Sequence, residues 1–105
     1  VASGGMRRVI EEVLQHLGIL QLFNAVVTSE DVARQKPAPD IFLEAARRMG
    51  VPPQRCRAYE DTDLGLAAIR AAGMEAVDVL FGRDEVDDLR GVDVFGKRQP
   101  VEHAL

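Results

Sequence analysis

The chain has 105 residues, 47% of them hydrophobic and 29% charged, which fits one small folded unit and leaves no room for two full domains. Thirteen basic and 17 acidic side chains give a net charge of −4, so no broad basic surface for nucleic acid can be assembled. The single cysteine excludes an internal disulfide, and one cysteine with two histidines cannot build a structural zinc site. No apolar run approaches the ~20 residues of a membrane helix, and the N-terminal residues lack a secretory pattern. A reducing, cytoplasmic setting is therefore expected, with neither membrane nor nucleic acid as partner.

In chain order, Val1-Ala2 reads as the end of a strand, and Ser3-Gly4-Gly5 leads into a first helix. In that helix Val9, Ile10, Val13, Leu14 and Leu17 form the stripe expected to be buried and Gly18 the stop. Ala25-Val26-Val27-Thr28 reads as a strand. Pro39 opens a second helix whose stripe is Ile41, Phe42, Ala45, Ala46 and Met49, ending at Gly50. Arg57-Ala58-Tyr59 reads as a strand. A third helix runs from about Asp63, with Leu64, Ala67, Ala68 and Ala71 on one face, and stops at Gly73; Ala76 to Leu80 reads as the next strand. Each closing glycine precedes an apolar residue, Ile19, Val51 or Met74, as expected where a left-handed glycine ends a helix. In the tail, Asp84 to Leu89 reads as a short helix and Val92 to Phe95 as a strand. Strands alternating with single amphipathic helices imply an α/β fold with a doubly wound parallel sheet covered on both faces. The opening at Val1, without an initiator methionine or a cap, suggests a fragment.

In such sheets ligands bind beyond the carboxyl ends of the strands, so the residues following each strand carry the functional reading. Ser3-Gly4-Gly5 before a helix can seat an anion with a hydroxyl and open backbone N–H groups, or can simply cap and turn. Lys36 stands in Lys36-Pro37-Ala38-Pro39-Asp40, where two prolines stiffen the chain and aim the amine. It is one of only two lysines, the other being Lys97, which favours a site wanting a compact point charge over a solvated loop residue. Glu60-Asp61-Thr62-Asp63 places adjacent carboxylates at a strand end, which a hard divalent cation such as Mg2+ would relieve. Helix capping is an alternative for Asp61, Thr62 and Asp63 but hardly explains Glu60, which favours the metal. Cys56 reads as a structural thiol, Arg47-Arg48 as a solvated helix face, and neither His16 nor His103 is assigned a catalytic role.

The order Ala2-Ser3-Gly4-Gly5, Lys36-Pro37-Ala38-Pro39-Asp40, Glu60-Asp61-Thr62-Asp63-Leu64-Gly65 and Ala71-Ala72-Gly73-Met74 resembles the haloacid dehalogenase-like hydrolase superfamily, in particular its beta-phosphoglucomutase and sugar-phosphate phosphatase branch. The stretch from Val27 to Val32 also resembles the family segment preceding the lysine loop. The resemblance covers about residues 1–80, leaving 83–105 as a peripheral segment of one partial core domain. It implies a Rossmann-like core and a Mg2+-dependent phosphatase or phosphomutase acting on a small phosphorylated substrate such as a sugar phosphate. It further implies that Ser3 and the amides after it hold the transferring phosphoryl group and that Lys36 neutralises its charge. Glu60 and Asp61 would position the metal, with Asp61 the direct ligand, and Arg7 stands where relatives carry a phosphate or substrate contact.

The family's D-x-D-G-T segment, with its nucleophilic and acid/base aspartates, has no counterpart here, nor has the substrate-selecting cap. The resemblance places the nucleophile's strand between the strand ending at Ser3 and that ending at Glu60. The sheet should then be completed by a further N-terminal segment or a second chain, or close directly. The isolated chain is expected to be inactive. The alternative is an inactive truncated module that binds anions or self-associates, for instance as a homodimer. A receiver-like signalling domain fits poorly, because Lys36 precedes the acidic pair.

Overall fold

The computed structural model of the chain describes residues 1–79. Three α-helices and two β-strands follow in the order α1 (Arg7–His16), α2 (Asp40–Met49), β1 (Arg57–Glu60), α3 (Asp63–Ala71) and β2 (Glu75–Asp78). Short 3-10 turns at Leu20–Leu22, Ser29–Asp31 and Pro53–Arg55 fill the connections. The expected helix at Asp84–Leu89 and strand at Val92–Phe95 lie outside the described residues, as does Lys97.

β1 and β2 pair in parallel, with Arg57 opposite Glu75 and Glu60 opposite Asp78, and α3 forms the crossover between them. A second parallel pairing joins Ala2 to Val27: the Ser3 N–H donates to Val27 O (2.9 Å) and the Val27 N–H to Val1 O (2.8 Å). The strand expected over Ala25–Thr28 is thus reduced to one bridge, because Thr28 turns into the Ser29–Asp31 helix. Among the described residues no ladder joins this pair to β1–β2, so the two halves of the sheet do not close directly. The fold is α/β with parallel strands, and it is incomplete.

Alternation places Ala58 and Ala76 on one face of the sheet and Arg57 and Glu75 on the other. The alanine face carries the core, in which Val27, Ile41, Phe42, Leu66, Ile69 and Met74 supply bulk. Ala45, Ala46, Ala68, Ala72 and Ala76, all buried, let α2 and α3 approach each other, and α3 the strands, closely. On the opposite face Arg57 Nε and Glu75 Oε2 pair across the strands at 2.9 Å.

The stripe expected on α2 is buried at Ile41, Phe42, Ala45 and Ala46, while Met49 is 44% exposed. On α3 the buried face is Gly65, Leu66, Ala68, Ile69 and Ala72, and Leu64, Ala67 and Ala71 face outward. The expected face is corrected by part of a turn, because Leu66 and Ile69 bury more apolar surface than the alanines that define the other side. On α1 no residue is buried: Val9, Val13 and Leu17, expected in the core, are 50%, 51% and 61% exposed. Nothing among the described residues covers that side of the helix.

All three helices stop where the glycines place the stop. At α3 the Met74 N–H returns to Ile69 O (3.2 Å) and the Gly73 N–H to Arg70 O (3.0 Å), with Gly73 at φ 78°, a backbone conformation that would strain any other residue. Ile19 to Leu14 and Val51 to Ala46 repeat this closure on α1 and α2.

The core's dependence on a few large side chains gives a test. Ile69→Ala should lower unfolding free energy by ~2–4 kcal/mol, the cost of emptying a fully enclosed site. Leu17→Ala, on the open side of α1, should change it by less than ~0.5 kcal/mol. Urea denaturation of the two variants checks the contrast, and similar losses would show that α1 is packed in solution.

Candidate functional site

Glu60, the last residue of β1, turns back over the N-terminus of α3. Its Oε2 accepts a hydrogen bond from Lys36 Nζ at 2.7 Å, with the side chains only 12% and 21% exposed, and its Oε1 accepts from the Asp61 N–H at 3.0 Å. Gly65 makes room for this carboxylate: a Cβ there would fall 2.1 Å from Glu60 Cγ, Cδ and Oε2. Thr62 caps α3 by accepting the Gly65 N–H at 3.0 Å, and Asp63 lies in the first turn. Burial alone would raise the Glu60 pKa, but the Lys36 ammonium and the Asp61 N–H outweigh it and hold the carboxyl below its ordinary value.

Lys36 reaches Glu60 from a braced loop. Arg34 grips Asp40 through two hydrogen bonds, Nη2 to Oδ1 at 2.8 Å and Nε to Oδ2 at 3.3 Å, joining the two ends of the loop. Between them, the Ala38 N–H donates to Gln35 O (3.0 Å) across a turn that contains a cis Lys36–Pro37 peptide. The lysine Nζ also lies 5.1 Å from the ring centroid of Phe42, a core residue, so an aromatic face backs the ammonium. Among the described residues, one of the three ammonium donors meets Glu60.

Ser3 follows the Ala2–Val27 bridge directly. Its Oγ accepts the Gly5 N–H at 3.2 Å. A Cβ at Gly4 would meet nothing within 4 Å, so the space beside that backbone is open, whereas one at Gly5 would fall 2.9 Å from Ile10 Cδ1. Arg7 directs its guanidinium inward, to Glu11 Oε1 (3.0 Å), Val26 O (3.2 Å) and Asp31, and its N–H to Glu30 Oε1 (3.1 Å). It thereby anchors the start of α1.

Behind the loops runs a carboxylate–guanidinium network that the sequence did not disclose. Asp31 accepts from the Thr28 N–H (2.8 Å) and from Thr28 Oγ1 (3.2 Å), closes a capping box on the 3-10 turn, and pairs with both Arg7 and Arg48. Arg48 also meets Glu44 (2.9 Å), which binds Arg47 as well, so Arg48 belongs to this network rather than to the solvated face expected for it. The Thr28 N–H holds the Asp31 pKa down at about 2, against desolvation, with help from Arg48 and Arg7; Arg47 and Arg48 hold Glu44 down at about 2. Cys56 is a free thiol whose pKa burial raises, in keeping with a structural role.

The site therefore joins Lys36, Glu60 and Asp61 in one cluster, with Ser3 and Gly4 at the end of another parallel strand pair. As a metal ligand, the exposed Asp61 carboxylate is a hard oxygen donor that suits Mg2+, which commonly takes one or two protein carboxylates and completes its shell with water and phosphate. Glu60 suits that role less, since both its oxygens already accept hydrogen bonds. Among the described residues no group of three or more His, Cys, Asp or Glu stands together as a complete cage. Nor is any described helix long and apolar enough to cross a membrane.

Residues 1–73 match the family model of haloacid dehalogenase-like hydrolases, and the chain belongs to that family. Over 79 residues it is 51% identical to the fructose-1-phosphate phosphatase YqaB of Escherichia coli, covering 75% of this chain and 42% of that protein. It is 46% identical over 72 residues to the beta-phosphoglucomutase of Bacillus subtilis, covering 69% of this chain and 32% of the relative. Among solved structures, CbbY from Rhodobacter sphaeroides in complex with phosphate superposes with a TM-score of 0.68 at 33% identity, over 72% of this chain and 35% of that one. The chain thus spans well under half the length of these relatives.

Gly65→Ala should fold but displace Glu60 from Lys36; a lost charged hydrogen bond of ~1.5–3 kcal/mol outweighs the ~1 kcal/mol helix gain of alanine. A net loss of ~1 kcal/mol in chemical denaturation is expected, whereas a stabilised variant would show that the contact is dispensable. For pH, the folded values of Asp31 and Glu44 lie below their ordinary 3.8 and 4.5, so the unfolded chain takes up protons first on acidification. Stability from these groups is complete above about pH 5 and is lost progressively toward about pH 2. Thermal melts over that range should show the fall, and Asp31→Asn should make it shallower.

Proposed function

We propose that the chain is the phosphate-handling part of a Mg2+-dependent phosphatase or phosphomutase acting on a small phosphorylated metabolite. The observation that carries this reading is the 2.7 Å contact between Lys36 and Glu60, which brings the family's lysine loop onto its acidic strand end across 24 residues of sequence. The phosphatase and phosphoglucomutase names of the relatives support it. In this reading Ser3 Oγ and the backbone N–H groups around Gly4 hold the phosphoryl oxygens from one side. Lys36 faces them from the other, oriented by Glu60 and backed by Phe42. Asp61 holds the metal, which when bound neutralises phosphoryl charge. Arg7 takes part by anchoring the helix behind the seat. In the intact enzyme an aspartate outside this sequence would attack phosphorus as the P–O ester bond breaks and the substrate's alcohol leaves, giving an aspartyl-phosphate, while Ser3 and Lys36 stabilise the charge on the transferring group. A cytoplasmic, reducing setting accords with the single free thiol.

Tests follow in two stages. With Mg2+ and a generic phosphomonoester, the 105-residue chain should show no turnover. A longer polypeptide carrying a D-x-D-G-T segment ahead of Val1 should turn over, and Lys36→Ala should lower its kcat ~100-fold or more. Asp61→Ala should abolish Mg2+ binding in a calorimetric titration, and equal binding by both forms would remove the metal assignment. The uncovered side of α1 favours a second reading, an inactive module that self-associates through Val9, Val13 and Leu17. A concentration-dependent dimer in sedimentation, with no phosphate binding, would select it.

A further inference from the structure

Three loops that the sequence presents separately are tied together by one residue. The N–H and Oγ of Ser29 both donate to Gly5 O, at 3.2 and 3.0 Å, and Ser29 O accepts from Gln35 Nε2 at 3.0 Å. Gly5 ends the Ser3–Gly5 turn, and Gln35 immediately precedes Lys36. Ser29 itself is fixed from below: Asp31, two residues on, caps Thr28 and is clamped by Arg7 and Arg48. A continuous run of hydrogen bonds and covalent bonds thus passes from Ser3 through Gly5, Ser29 and Gln35 to Lys36 and Glu60. Neither Ser29 nor Gln35 carries a charge or a role in chemistry; what they set is the separation between the hydroxyl-and-amide side of the phosphate seat and its ammonium side.

We propose that Ser29 is a positioning residue that fixes the spacing between the Ser3–Gly5 turn and the Lys36 loop, so that a phosphate is gripped by both at once. The inference rests on the reading of Ser3 and Lys36 as two sides of one seat. Its physical content is that of a chelate: when two sides grip one ligand, the rigidity of the link between them contributes to affinity, and when one side is removed the link ceases to matter. A residue that merely supports the fold behaves differently, because its loss weakens binding whether or not Lys36 is present.

Inorganic phosphate is the probe, with its dissociation constant measured by calorimetry or NMR titration on the 105-residue chain. Four backgrounds are compared: wild type, Ser29→Ala, Lys36→Ala and the double variant, as a thermodynamic cycle. Ser29→Ala should weaken phosphate binding about three- to tenfold, the worth of one hydrogen bond of ~0.7–1.4 kcal/mol, and should add nothing once Lys36 is alanine. Ser29→Thr, which keeps the hydroxyl, should restore affinity. Should Ser29→Ala fail to fold, Gln35→Leu replaces it in the cycle, since Gln35 is exposed and its loss cuts the same link on the lysine side. A loss that vanishes in the Lys36→Ala background supports the proposal; an equal loss in both backgrounds, or none in either, overturns it while leaving the phosphate seat intact. Absence of phosphate binding by the wild type overturns the seat, and the inference with it.

Discussion

The contact on which the candidate site depends is the ion pair between Lys36 and Glu60, seated in the space that Gly65 leaves open. Two charges so little exposed persist because each satisfies the other: the carboxylate receives an ammonium and a backbone N–H, and the ammonium has a carboxylate and an aromatic face. The pair brings the end of β1 and the loop before α2 into one place. Without it the lysine would be a long flexible chain on a surface loop, and the acidic strand end would carry two adjacent negative charges without compensation.

The polar scaffold and the apolar core share the work of placing these loops. Ile41 and Phe42 bury the first turn of α2, so the residues just before it, including Lys36, leave the core in a fixed direction. Asp31 does for the Thr28–Asp31 turn what burial does for the helix. It satisfies the Thr28 N–H and binds two guanidiniums, one from α1 and one from α2, and so ties to α2 a helix that has no fully buried side chain.

The elements were legible where one local signal sufficed. Gly18, Gly50 and Gly73 each needed φ > 0 at a helix end, and the stripe of α2 combined large side chains with a clean period. The face of α3 departs from the expected one because its alanines lie all around the helix, and only Leu66 and Ile69 reveal which side has bulk to bury. The stripe of α1 is amphipathic but not buried as expected, because amphipathicity says that a face needs a partner, not that this stretch of chain supplies one. In the site, Lys36 and Glu60 stood out singly as a lysine among arginines and a carboxylate that no cap explains. The resemblance brings them to one site, but their direct ion pair leaves no local signal, since a contact across 24 residues has no period. The Ser29–Gly5 link was hidden for the same reason. Gly65 offered a usable signal: a glycine inside a helix weakens it by ~1 kcal/mol and so asks what approaches it.

Because α1 is secured at one end by Arg7 and lacks buried side chains along its length, its opening is decoupled from that of the core. Unfolding this helix exposes no fully buried side chain, only the covered parts of Ile10 and Leu14, so its backbone amides should trade protons for deuterium through local excursions before the α2–α3 layer opens. Among the described residues, the layer around Ile69 is thus the persistent part, and α1 is the part that opens first.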